Sequence, residues 1–387
     1  MAVENWVARQ LEELTEFRRD LHRNPEVLYD LERTAARVAD ALRAAGVDEV
    51  VTGIGRTGVV GVIRGRSDTR GRVIGLRADM DALPITEETG APWASTKPGM
   101  MHACGHDGHT TMLLGAARHL AESRAFDGTV VVIFQPAEEG GAGAKAMMDD
   151  GLFERFPVQE IYGLHNWPGL PVGHFAIRSG PIMASLDEIR IRVDGIGGHA
   201  AFPHSTVDPV TVTAALIQAV QTIVSRNVDP LKSAVVSITT IHGGDAFNII
   251  PSTVTLTGTV RTLEEGVRDL VEKRLRKAVS GIADAFEAKA ELDYIRNYPV
   301  TVNNSEQVEK AVRAAVEVSG AANVITDVPP SMVGEDFAFM LGVVPGAFIF
   351  AGNGPSAGLH NPKYDFNDEL IPYGCSYWST LVRQLLA

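Results

Sequence analysis

The strongest constraint on the fold is a change of texture that begins and then ends. From about Ala184 the chain reads as strand, helix, strand, strand, helix, strand. "SLDEIRIRVDG" alternates apolar and polar residues, as a strand with one wet face does. "PVTVTAALIQAVQTIVSRN" has helical periodicity, "SAVVSITTIHGG" and "STVTLTGTVRT" are strand-like, "VRDLVEKRLRKAVSGIADAFEA" is helical again, and "KAELDYIRNYPV" closes the series. This β-α-β-β-α-β order is the split βαβ layout of a ferredoxin-like α+β domain. The flanking sequence differs. Before the series, strands such as "TGVVGVIRG", "RVIGLRADMDALP", "GTVVVIFQPAEEG" and "IYGLHNWP" alternate with helices such as "TTMLLGAARHLAE", and the same texture resumes after about Val300. Such alternation gives an α/β fold with at least part of its sheet parallel. The expected architecture is a discontinuous α/β domain, residues 1–183 and 298–387, with a second domain inserted at 184–297. A chain of 387 residues also suits two cores better than one.

The formal net charge of −13 argues against nucleic acid, whose phosphates would be repelled, and against an anionic membrane surface. An anionic substrate would need a local cation. No apolar run reaches membrane-spanning length, and "MAVENWVARQLEELTEFRRDLHRNPEV" has no basic segment followed by an apolar one, so no signal peptide is expected. Two cysteines, Cys104 and Cys375, do not make a disulfide framework, and a reducing cytoplasm is the expected location.

One of those cysteines sits in "MHACGHDGH", which packs His102, Cys104, His106, Asp107 and His109 together. Asp107 is expected to cap the apolar helical run that follows it. Cys104 and His106 precede that cap, and an i, i+2 pair in extended backbone places both side chains on one side. Taken alone, the cluster fits a buried thiol among structural imidazoles as well as a metal site. Strand ends elsewhere supply more donors. "VVVIFQPAEEGG" ends in Glu138 and Glu139, where adjacent carboxylates call for a facing cation or a solvated turn. "IYGLHNWPG" carries His165 at its end, and "SAGLHNPKYDFND" offers His360 after the apolar "GAFIFAG". In open α/β sheets ligands bind beyond the carboxyl ends of the strands. Cys, His, Glu, His and His are one donor more than a single tetrahedral ion needs; two ions sharing one ligand use them all and leave room for water.

The set "DMDALP", "HACGHDGH", "QPAEEG", "GLHNWP", "GGHAAFPH", "NIIP", "GEDFA" and "LHNP", in this order, resembles the aminoacylase and hippurate hydrolase branch of the co-catalytic metallopeptidases. That family includes N-acyl-amino-acid amidohydrolases, amidohydrolases for auxin–amino-acid conjugates, and carboxypeptidases. The resemblance covers nearly the whole chain. It implies a metallopeptidase-like α/β catalytic domain with a mixed sheet, and an inserted ferredoxin-like domain through which the chain forms a homodimer or a dimer-based oligomer. It makes Cys104, His106, Glu139, His165 and His360 the ligands of two divalent ions (zinc, manganese, nickel or cobalt) and Glu138 the general acid/base. Asp81 matches the residue that orients a ligand from behind. Other branches have His-x-Asp where this chain reads Asp79-Met80-Asp81, so Asp79 replaces the usual first ligand and Cys104 is the candidate to compensate. His199, a plain turn residue on local sequence, matches a histidine that reaches a catalytic site, commonly the partner subunit's.

Asn248 in "GGDAFNIIP" and Arg261 at the end of "TVTLTGTVRT" are candidate donors to a substrate carboxylate, although a solvated strand-end arginine fits Arg261 equally. Cys375 reads as a core thiol. His22, His119, His174 and His242 read as structural or exposed, His109 and His204 as supporting residues near the site, and Glu335 and Asp336 as either orienting ligands or capping a helix. The expected activity is metal-dependent hydrolysis of the amide bond of N-acyl amino acids. The alternatives are a carboxypeptidase or dipeptidase on the same machinery, a metal-holding binding protein, and a cysteine hydrolase using Cys104.

Overall fold

The computed structural model of the chain describes residues 4–387; residues 1–3, at the head of the expected first segment, lie outside the described residues. The chain divides into two compact units. The first holds Met1–Ile182, Val302–Pro329 and Asp336–Ala387, and the second Met183–Thr301 and Pro330–Glu335.

The first unit is built on an eight-stranded sheet ordered Glu49–Ile54, Gly58–Arg64, Thr129–Gln135, Val73–Asp79, Glu160–Pro168, Gly346–Gly354, Phe175–Ala176 and Val324–Ile325. The four strands from Thr129–Gln135 to Gly346–Gly354 run parallel. Gly58–Arg64 on one side and Phe175–Ala176 on the other are antiparallel to them. The sheet is therefore mixed, and the α/β reading stands. Its parallel strands are buried along almost their whole length, as a sheet covered on both faces requires.

Helix Asn5–Arg23 buries Trp6, Leu14, Phe17 and Leu21 on one stripe and ends before Pro25. It packs with helices His106–Ser123 and Ile371–Leu385. His106–Ser123 is buried on nearly every face. Gly108 allows that depth, because a Cβ there would meet the Phe366 ring at 2.1 Å.

The second unit has a four-stranded antiparallel sheet, ordered Ala234–His242, Thr253–Thr262, Leu186–Asp194 and Lys289–Tyr298. Helices Pro209–Asn227 and Glu265–Ala285 share its apolar core. Counted along the chain, the strand order is second, third, first, fourth, with a helix after the first and the third, which is the ferredoxin-like arrangement. Thr253–Thr262 alternates half-buried and buried residues along its length, one face on the helices. Inside, the buried Asp187 accepts hydrogen bonds from Arg268 Nε at 2.9 Å and from the Tyr294 hydroxyl at 2.6 Å, so its charge is compensated. Among the described residues no helix is long and apolar enough to cross a membrane.

Candidate metal centre

The parallel strands deliver their carboxyl ends side by side. Asp79 ends Val73–Asp79, and Asp81 follows two residues later. Glu138 and Glu139 follow Thr129–Gln135. His165 lies within Glu160–Pro168 rather than after it, and His360 comes a short loop beyond Gly346–Gly354. Cys104 and His106 arrive from the start of helix His106–Ser123. The backbone is bent hard at two of these places: Ala137, just before the glutamates, has φ 53°, and His360 has φ 61°. Non-glycine residues adopt such angles only where their surroundings enforce them. At His360 a hydrogen bond from its N–H to the Ala103 carbonyl, 2.8 Å, ties the late loop to the cysteine loop.

The helix start corrects one expectation. Asp107 is not the cap. The helix begins at His106, and the capping position is Gly105 with φ 91°. A side chain there would collide with Asn166 Oδ1 at 2.3 Å and the Tyr364 hydroxyl at 2.5 Å. Asp107 is buried in the first turn, where its carboxylate faces His22 Nδ1 at 2.8 Å and Arg18 Nη1 at 3.4 Å. His22 therefore has a partnered, buried role.

All five expected ligands converge. Donor atoms of Cys104, His106 and His165 lie within 4.8 Å of one another, as do those of Cys104, Glu139 and His360. The two groups meet at Cys104. Its Sγ is 3.4 Å from His165 Nε2, and Glu139 Oε1 is 3.2 Å from His360 Nε2. Cys104, His106 and His165 are buried, whereas the His360 side chain is 48% exposed and opens the site to solvent.

The donor chemistry fits divalent metal. The Nδ1 of His106 is 2.8 Å from the Asp81 carbonyl, and the Nδ1 of His165 is 2.7 Å from the Asn166 carbonyl. Each Nδ1 must donate there, so in the neutral ring the lone pair of Nε2 faces inward. His106 Nε2 and Glu139 Oε1 are buried without a well-aligned hydrogen-bond partner, and such atoms are costly unless something cationic meets them. The electrostatics agree. Burial, then Glu139, Glu138 and Asp79, push the Cys104 thiol well above its usual range. Burial works against the charged form of His106, but Asp79, Asp81 and Glu139 outweigh it and hold this imidazole at about 10. A pocket this rich in anions favours a cation, and a bound cation deprotonates a thiol.

Asp81 organises the pocket from behind. Its carboxylate accepts the N–H groups of Glu138 at 2.9 Å and Glu139 at 3.1 Å. Asp79 takes no such place. Its Oδ1 is 2.6 Å from His109 Nδ1, and His109 Nε2 in turn contacts Asn166. Burial would raise the Asp79 carboxyl, but His106, His109 and Arg77 outweigh it and hold it well below its ordinary value. Asp336 meets a helix start and, through its main chain, Glu138 rather than one of the expected ligands. Its carboxylate accepts the Ala144 N–H at 2.9 Å, at the start of helix Gly143–Asp149, and its own N–H donates to Glu138 Oε1 at 3.3 Å. Glu335 is buried and falls in the second unit. Arg77 went unnoticed in the sequence reading. Its one signal is a charge in the middle of the buried strand "VIGLRAD".

In the second unit, His199 and Asn248 are exposed neighbours on one ribbon: His199 pairs with Ile249, and the Ala200 N–H donates to the Asn248 carbonyl at 3.0 Å. Arg261 is not with them. It is half-buried near the end of Thr253–Thr262, eight residues or roughly 26 Å of strand from Thr253.

A family model for peptidase family M20/M25/M40 matches residues 75–384. A hippurate hydrolase of Campylobacter jejuni subsp. jejuni serotype O:2 is 45% identical over 375 residues, covering 97% of each chain. An N-acetyl-L-cysteine deacetylase of Bacillus subtilis strain 168 is 41% identical over 360 residues, 93% of this chain and 85% of that one. The crystal structure of the Bacillus subtilis YXEP protein, a dinuclear metal binding peptidase from the M20 family, superposes with a TM-score of 0.85 at 34% identity, covering 98% of this chain and 99% of the other. On its fold, its converging donors and this match along most of its length, the chain belongs to peptidase family M20/M25/M40.

Proposed function

We propose that the protein is a metal-dependent amidohydrolase that cleaves the amide bond of N-acyl amino acids. Cys104, His106, Glu139, His165 and His360 would hold two divalent ions. The carrying observation is the convergence of these five donors in two groups that share Cys104, with Glu138 beside Glu139 and His106 at the same centre and receiving the Asp336 N–H. The similarity to a hippurate hydrolase and an N-acetyl-L-cysteine deacetylase supports the substrate class.

Bound divalent ions lower the pKa of water and polarise the scissile carbonyl. Glu138 accepts the proton of the attacking water and later delivers it to the leaving nitrogen. His199 donates to the oxygen that gathers charge as the carbonyl carbon becomes tetrahedral. The working unit is a homodimer in which His199 serves the partner's site. Asn248 holds the substrate carboxylate against the chain's overall negative charge; Arg261, set apart from Asn248 within one chain, would join it there only from the other subunit. Zinc, manganese, nickel and cobalt all suit a thiolate–imidazole–carboxylate set to differing degrees.

Metal analysis of the purified protein, paired with a hydrolysis panel, tests this reading. The expected result is two ions per chain and release of amino acid from N-acetyl, N-benzoyl or indole-acyl substrates. Turnover of dipeptides alone would make it a dipeptidase or carboxypeptidase. Full activity without metal would return Cys104 to the role of nucleophile.

A further inference from the structure

Behind the carboxylates lies a cation that the chemistry above does not use. The Arg77 side chain is fully buried. Its Nε donates to Gln135 Oε1 at 2.8 Å, its Nη1 to Asp79 Oδ2 at 2.8 Å and its Nη2 to Asp336 Oδ1 at 3.0 Å. The Phe337 ring lies 5.5 Å from the guanidinium carbon. Gln135 Nε2 closes the circuit by donating to Asp336 Oδ1 at 2.8 Å. The Asp336 carboxylate is thus fixed by Arg77, Gln135 and the Ala144 N–H. Its main-chain N–H donates to Glu138 Oε1 at 3.3 Å.

We propose that Arg77, acting through Asp336, is the positioning residue for the Glu138 carboxylate. The inference rests on Glu138 being the general acid/base. Charge alone does not explain this arrangement, since a buried lysine would also neutralise a carboxylate. Donating to Gln135, Asp79 and Asp336 from Nε, Nη1 and Nη2 requires the planar fork of a guanidinium. The other arm, on Asp79, leads to His109, whose ring lies 4.5 Å from that of His165. One side chain therefore stands behind both the base and a ligand, and the test must separate the two arms.

A double-mutant cycle does so. Arg77→Lys keeps the charge and loses the fork. Its expected effect is a fall in kcat of roughly 10–100-fold, the scale of an ångström-level misplacement of a catalytic group, with KM nearly unchanged. Metal affinity of the metal-free protein, measured by competition with a chromophoric chelator, should stay at the wild-type value. In a Glu138→Gln background the same change should lower the residual rate by less than about threefold, because the carboxylate it positions is gone. Asp336→Asn, run through the same cycle, gives a second reading if Arg77→Lys folds poorly. Equal losses in both backgrounds would make Arg77 a structural residue and overturn the proposal. So would wild-type kcat in Arg77→Lys, or weakened metal affinity, which would mean that Arg77 acts through Asp79 on the ligands. Wild-type turnover in Glu138→Gln alone would remove the general base itself and the proposal with it.

Discussion

Asp81 holds His106 by its main chain and both glutamates by its side chain: the carbonyl accepts from His106 Nδ1 at 2.8 Å, and the carboxylate from the N–H groups of Glu138 and Glu139. Asp81→Asn leaves the carbonyl in place but turns one carboxylate oxygen into a donor that faces an N–H. Metal affinity should fall by roughly 10–100-fold, the usual worth of residues that orient ligands. Chelator competition measures it; unchanged affinity would show that the glutamates hold their places without Asp81.

Cys104 belongs to both donor groups. Cys104→Ser should release most of the bound metal and abolish most of the activity, because a hydroxyl is a far poorer ligand than a thiolate. Metal content by elemental analysis is the check, and full occupancy in the variant would take Cys104 out of the site.

Glu138→Gln keeps the shape and removes the base. Turnover should fall by roughly 10²–10⁴ while metal content is retained. Loss of metal instead would exchange the roles of Glu138 and Glu139.

His199 lies in the second unit, whereas all five expected ligands lie in the first. Mixing His199→Ala with Glu138→Ala subunits should restore up to half of wild-type activity per mixed dimer if His199 works in the partner's site. No recovery, with subunit exchange shown independently, would assign His199 to its own chain or to the turn alone.

His22 makes stability depend on pH. Burial works against its charge, but Asp107 and Glu87 outweigh burial and hold it at about 9, above the ordinary value of 6.5. A raised folded value means stability that is fully present below about pH 6.5 and is lost as pH rises through about 9. The difference is on the order of 3 kcal/mol. Urea midpoints of wild type and His22→Gln between pH 6 and 10 should converge at the alkaline end. Parallel curves would place the dependence elsewhere.

The meeting of these donors was legible because each lies in or near a strand end or a helix start, within its own short motif. Asp107 was misread because the capping rule looks for a polar residue just before an apolar run. Here the helix is buried on nearly all faces, so its first turn is polar and still inside, and a glycine with positive φ sets the start. His22 gave no local sign of its partner, 85 residues away in sequence. Arg77 did leave a sign, a charge inside a buried strand, but nothing near it pointed to Asp336, 259 residues on. Partners that meet only through the tertiary fold leave no periodicity behind.

The strand Gly346–Gly354 pairs in parallel with Glu160–Pro168, and the inserted unit lies between them along the chain. During synthesis, Glu160–Pro168 emerges long before its neighbour and waits with an unpaired, apolar edge. His360 follows that neighbour, so the donor set is completed only after the sheet has closed. A nascent chain therefore holds only part of the donor set while the insert is being made, and it exposes a sticky strand for as long as that takes. The open, His360-bearing side of the donor set is thus the last part of the site to form, because of the position of that one late strand.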